Sequence, residues 1–123
     1  DDFFLGMFTT ALDEGELITA ISFPIPQRSV YMKFVQPASR FALVGVYLAQ
    51  TAGGVRVAVT GAGQGVFRHK GLEDALNKSF TVASAAAVPI DASDLNADLH
   101  ATAAYRANLI SVQTQRGVAK LLG

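Results

Sequence analysis

Few residues in this chain have the type and spacing that chemistry requires. Gly61-Ala62-Gly63-Gln64-Gly65 has the glycine density of a phosphate-cradling loop. Such a loop works where it opens a helix, because backbone amides and the helix dipole then converge on one anion. Here Val66-Phe67-Arg68-His69 follows, which reads as extended chain, and the third glycine is out of place for the GxGxxG pattern. A turn at a strand end is the simpler reading, with a phosphate loop as the alternative. The carboxylates gather in two groups, Asp13, Glu14 and Glu16 around one turn and Asp91, Asp94 and Asp98 before a helix. Paired carboxylates do acid–base work when their surroundings split their pKa values, but near turns and helix N-termini they commonly cap and offset the dipole. His69 and His100 are far apart and lack metal-ligand spacing, and Ser39 has none of the surroundings of a nucleophile elbow. No catalytic constellation emerges from residue types alone.

Composition narrows the classes further. The chain has 123 residues, the common size of one domain with one core, so residues 1–123 are read as a single domain. Half its residues are apolar and 16% are charged, too apolar for a disordered segment. Ten basic residues balance ten acidic ones, so no basic field for nucleic acid is present, and neutrality favours association with other surfaces. Without cysteine there is no disulfide, thiol nucleophile or locally ligated iron–sulfur cluster. No apolar run reaches the roughly 18–20 residues of a membrane span. The acidic start, Asp1-Asp2-Phe3-Phe4, lacks an initiator methionine and reads as neither a signal peptide nor a natural beginning.

The elements follow from periodicity. Residues 2–12 carry Phe4, Met7, Phe8 and Leu12 at helical spacings and predict a short helix. Residues 16–23 and 30–35 predict strands, the first stopped by Pro24-Ile25-Pro26 and the second before Pro37. The strongest signal is an apolar run over 41–50, a Thr51-Ala52-Gly53-Gly54 turn, then alternation over 55–60 with the valines on one face. That pair predicts an antiparallel hairpin. Residues 66–69 suggest a short strand, 71–78 a brief helix burying Leu72, Ala75 and Leu76, and 84–88 another closed by Pro89. A long helix is expected from about 102 to 122, with Ala101, Tyr105, Leu109, Val112, Ala119 and Leu122 as its buried stripe. Strands in the middle and helices toward the end give an α+β fold, an antiparallel β-sheet packed against helices.

Several stretches, taken in order, resemble a known family. Asp98-Leu99-His100-Ala101-Thr102-Ala103-Ala104-Tyr105-Arg106, continuing through Gln115-Arg116-Gly117-Val118-Ala119, is similar to the C-terminal signature of the flavoprotein (medium) subunit of carbon monoxide dehydrogenase and related xanthine dehydrogenase-type molybdenum hydroxylases. Asp2-Phe3-Phe4, Glu16-Leu17-Ile18, Tyr31-Met32-Lys33-Phe34, Ala38-Ser39-Arg40-Phe41-Ala42-Leu43-Val44 and Val59-Thr60-Gly61-Ala62-Gly63 fall in the order that family shows. The sequence departs from it at Ala104, where Glu usually precedes Tyr-Arg, and at Arg116-Gly117, where a basic pair is reduced to one residue. The resemblance implies a C-terminal α+β domain of a cytoplasmic subunit. Its glycine-rich FAD-diphosphate segments would belong to a preceding FAD-binding domain absent from this chain, and its partners would be molybdopterin and iron–sulfur subunits. It implies FAD in the full subunit, none bound by this chain alone, and no enzymatic activity of the chain by itself.

By the same resemblance, residues 31–41 approach the flavin ring, and Lys33 and Gln36 are the flavin-side residues. Pro37 ends regular pairing, so this segment is expected to turn through a loop at one rim of the sheet. Lys33 and Arg40 would then place two cations near a ring that becomes negative on reduction. A free-standing α+β binding or dimerisation module, and a small hydrolase or transferase, are the rival classes. The parent enzyme's substrate would be set in the molybdenum subunit.

Overall fold

The computed structural model describes residues 2–123; Asp1, in the acidic start, lies outside them. Its centre is a four-stranded antiparallel sheet in the order β3-β4-β5-β6, with β3 Arg28–Val35, β4 Ala42–Thr51, β5 Gly54–Thr60 and β6 Phe67–Arg68. Three helices follow: α1 Lys70–Lys78, α2 Val82–Ala86 and α3 Ala103–Leu122. A small separate hairpin, β1 Phe4–Gly6 with β2 Thr9–Thr10, precedes them. This is the expected α+β arrangement.

The central hairpin matches the alternation that predicts it. Val46 pairs with Val59, Leu48 with Val57 and Gln50 with Val55, while Val30, Met32 and Phe34 stand opposite Leu48, Val46 and Val44. One face of the sheet is therefore almost continuously aliphatic. It packs on Leu72, Leu76, Ala85, Leu109, Ile110 and Val118 from the helices, with α3 over β3 and β4 and α1 over β5. Each fully buried valine or leucine contributes about 1.5–3 kcal/mol. A bulge between Phe34 and Val35 on β3 skips Leu43 on β4. Extra residues of this kind bend the strand, and Leu43 joins the core beside Val44.

Helix α1 also finishes the sheet edge. β6 pairs only with Ala58 and Val59, so β5 runs on without a neighbour. His69 N donates to the Val57 carbonyl at 2.9 Å. Glu73 Oε1 then accepts from Val57 N at 3.0 Å, and Asn77 Oδ1 from Val55 N at 2.9 Å. Two side chains four apart on a helix span one turn, close to the spacing of two strand residues. They satisfy amides that an exposed edge would leave open.

Three expectations need correction. Residues 2–12 form the β1–β2 hairpin, not a helix; Gly6 and β-branched Thr9 and Thr10 disfavour helix more than the apolar spacing favours it. Residues 16–23 belong to no strand among the described residues. They are exposed, and no strand among the described residues pairs with them. The stripe of α3 is rotated: Tyr105, Ala119 and Leu122 are exposed and Val112 only half-buried, whereas Arg106, Ala107, Leu109, Ile110, Gln113, Thr114, Gly117 and Val118 are buried. Of the expected stripe Ala101 and Leu109 are in the core. The helix hides polar residues on its inner face, which hydropathy assigns to the outside. Gly117 marks the closest approach, since a Cβ there would collide with Leu48 Cδ1 and press on Met32 and Val30.

Candidate functional site at the β3–β4 rim

The rim is built by its own short-range bonds. β3 stops at Val35, and Pro37 has no amide to continue the ladder. Gln36 Oε1 then accepts from Ala38 N at 2.6 Å, Ser39 N at 2.8 Å and Ser39 Oγ at 3.1 Å. The backbone of Gln36 donates to the Phe41 carbonyl and accepts from Arg40 N, both at 2.9 Å. Arg40 closes the loop at φ 61°, a left-handed conformation that costs a non-glycine residue energy. Lys33 Nζ donates to the Arg40 carbonyl at 3.1 Å. Lys33, Gln36 and Arg40 are thus brought together on one loop. Gln36 retains its amide N–H groups as donors, while its oxygen shapes the turn.

Lys33 belongs to the sheet face turned away from the helices. The register puts Tyr31, Lys33, Tyr47, Arg56 and Thr60 on that face, and no strand residue there is a carboxylate. Tyr31 crosses over Gly45, where a Cβ would strike its ring, and its hydroxyl lies 3.2 Å from Thr60 Oγ1. The face is therefore aromatic and cationic.

Beneath the rim is a group whose role residue types alone did not reveal. Arg106 is 2% exposed. Its Nη1 donates to the carbonyls of Leu43 at 2.7 Å and Gly61 at 3.0 Å, and its Nη2 to Asp98 Oδ2 at 2.8 Å. One planar fork thus joins the β4 bulge, the end of β5 and the entry to α3. Buried Arg106 Nε has no partner among the described residues. Asp98 Oδ1 accepts from His100 N at 2.9 Å and Ala101 N at 3.1 Å. The His100 amide, despite some burial, and then the Ala101 amide and Arg106 hold its carboxyl below the usual range. The cap of α3 itself is Thr102, whose Oγ1 accepts from Tyr105 N at 3.2 Å. Ring contacts of Phe34 with Tyr105 and Phe41 with His100, both at 6.2 Å, tie the same helix entry to the rim. The Tyr105-Arg106 pair of the family resemblance marked the residue, but not that its guanidinium is buried under the rim.

Gly61 sits at φ 76°, and a Cβ there would strike the Ala42 carbonyl. The glycine run is a turn at a strand end followed by β6, not by a helix N-terminus. It borders an open groove of about 950 Å³ with Phe4, Phe67, Asp91 and Asn96. Asn96 is already bonded to the Ala62 and Gly63 carbonyls and to Gln64. No group of three metal-ligating side chains occurs among the described residues.

Elsewhere, Glu73 is a second buried charge. Burial pushes its carboxyl up, but the Arg68 fork, the Val57 amide and the charges of Arg68 and Lys70 outweigh that and leave it below the usual range. Arg68 reaches it through Nε at 2.8 Å and Nη2 at 2.6 Å. His69 caps α1, its Nδ1 accepting from Leu72 N at 3.2 Å. Burial holds its pKa below the ordinary value, against the opposing pull of its own backbone and Glu73.

No protein-family model matches the chain. The glyceraldehyde dehydrogenase medium chain of Sulfolobus acidocaldarius is 46% identical over 50 residues, covering 39% of this chain and 18% of that protein. Among solved structures, quinoline 2-oxidoreductase from Pseudomonas putida 86 aligns at TM-score 0.77 and 23% identity, covering 97% of this chain and 45% of its own. A reconstituted CO dehydrogenase from Oligotropha carboxidovorans aligns at TM-score 0.75 and 23% identity, covering 96% and 46%. The chain thus spans less than half the length of the proteins it matches. The structural likeness gives the fold, and the sequence match, confined to 50 residues, is to a medium chain.

Proposed function

We propose that the chain is the C-terminal domain of an FAD-carrying subunit in a molybdenum hydroxylase, where it supports the flavin site and subunit assembly. The observation that carries this is the agreement between the medium-chain sequence match and a fold shared over 96–97% of the chain with two such oxidoreductases. The residues present fit one side of FAD and not the whole of it. The rim offers an ammonium, a carboxamide donor and an aromatic, carboxylate-free face, while the glycine turn opens no helix to cradle a diphosphate. The diphosphate would be held by another part of the subunit.

Bound there, FAD would supply electron transfer from a substrate-derived donor to an acceptor. Lys33 would place positive charge beside a ring that gains negative charge on reduction. Gln36 would hold the loop in shape through its oxygen and present its amide N–H groups. Arg106, from below, would keep the two strand ends under the rim in register. Partner molybdopterin and iron–sulfur subunits would complete the electron path.

Removing a cation near a flavin disfavours the reduced form. In the complete subunit, Lys33→Ala should therefore lower the flavin reduction potential while far-UV circular dichroism stays unchanged. An unchanged potential and flavin spectrum in Lys33→Ala and Gln36→Ala alike would leave the loop as a plain connector.

A further inference from the structure

Residues 16–25 are the most exposed apolar stretch in the molecule. Leu17 is 84% exposed, Ile21 66%, Phe23 80% and Ile25 95%. The even positions are Ile18, Ala20, Ser22 and Pro24, so four of the five large apolar residues fall on odd positions, with polar Thr19 among them. That is the period of a strand with one buried face. Yet among the described residues no backbone hydrogen bond joins 17–26 to anything; bonding resumes at Gln27, whose amide donates to the Gln50 carbonyl. Before it stands the β1–β2 hairpin, whose two strands pair with each other. At its tip Phe8 is fully exposed at φ 57°, a strained conformation for an aromatic residue, beside half-exposed Met7.

We infer that residues 17–25 are a donor strand, adding to the edge of a β-sheet in another part of the same subunit with odd-numbered side chains facing that sheet's core. The inference rests on the reading of the chain as part of a longer flavoprotein subunit. A strand with open amides and one apolar face is matched by a sheet edge backed by a core, since the ladder satisfies the backbone and the core buries the side chains. This domain does not supply that core. Its helices already cover β3, β4 and β5, so a strand added outside β3, in this copy or a second one, would lay Leu17, Ile21 and Phe23 over no helix. In the solved neighbours, by contrast, more than half of each chain lies outside the match, ample length for a second sheet.

Hydrogen exchange on the complete gene product tests this. Amides of residues 17–23 and of Ile25 should exchange about 100-fold or more slower than unstructured chain, as ladder amides do, and equally so on dilution. Ile21→Asp should abolish the protection, whereas Ser22→Asp, on the opposite face, should leave it. Exchange at the unstructured rate would overturn the inference. So would protection that fades as the protein is diluted to monomer, which would mean pairing with a second copy, or equal loss in both variants. Flavin content, read on the same sample, keeps the two readings apart. Protected amides without flavin would refute the flavoprotein role and leave the pairing standing; bound flavin with unprotected amides would refute the pairing alone.

Discussion

Arg106 shows how a residue read as part of a family signature does structural work. Its guanidinium is buried against two backbone carbonyls and one carboxylate, so truncation leaves those acceptors facing a void. Hydrogen bonds to charged groups contribute about 1.5–3 kcal/mol, and breaking a buried charged network costs more than a single bond. Arg106→Ala should destabilise the domain by about 3 kcal/mol or more in urea titration, and Arg106→Lys should recover only part, because an ammonium cannot fork to the bulge and the β5 end together. His69 gives a pH signature. Its folded-state pKa lies below its ordinary 6.5, so the unfolded chain takes up the proton first as pH falls. Its contribution to stability is complete above that value and lost on passing below it, levelling once the folded state is protonated too. Between about pH 7.5 and about pH 5 the wild type should lose stability and His69→Asn, which caps without titrating, should lose less. Equal slopes would remove His69 from the account. The acidic groups with lowered values, Glu73, Asp91 and Asp98, act below this window. Neither clamp was legible beforehand: Glu73 and Arg68 are five apart and Arg106 and Asp98 eight apart, pairings that only the fold creates.

At the scale of elements, strands were easier to read than helices. A period of two tolerates no ambiguity of face, so the valines of β5 and the glycine-bearing turn located the hairpin to within a residue or two. Helix α3 was recognised by length and periodicity, but its orientation was misjudged because Arg106, Gln113 and Thr114 are buried and Gly117 carries no hydropathy signal. The correct face makes paired predictions. Leu109→Ala should cost about 2–5 kcal/mol through lost burial and a cavity. Gly117→Ala should cost about 1–3 kcal/mol by overpacking against Leu48, although alanine is the better helix former. A stabilised Gly117→Ala protein would show that α3 sits farther from the sheet than the structure has it. The two failures near the start share a cause. Residues 2–25 find few partners inside this chain, so local pattern competes with no packing to decide it.

At the scale of the whole molecule, the candidate site is a rim and not a pocket. The strand end was legible because Pro37 stops regular pairing, whereas the flavin-side role of Lys33 and Gln36 came only from the family resemblance. That Gln36 organises the loop and Lys33 binds the Arg40 carbonyl required the three-dimensional arrangement, as did the carboxylate-free sheet face beside them. An aromatic, cationic sheet face and an exposed apolar arm leading into β3 describe a domain shaped by neighbours. No helix among the described residues is long and apolar enough to cross a membrane. The most direct measurement is the cofactor content of the complete gene product, purified without added flavin, denatured, and its released chromophore identified by absorbance and mass. The account predicts FAD in stoichiometric amount; a colourless, correctly folded protein that takes up no FAD on titration would contradict it.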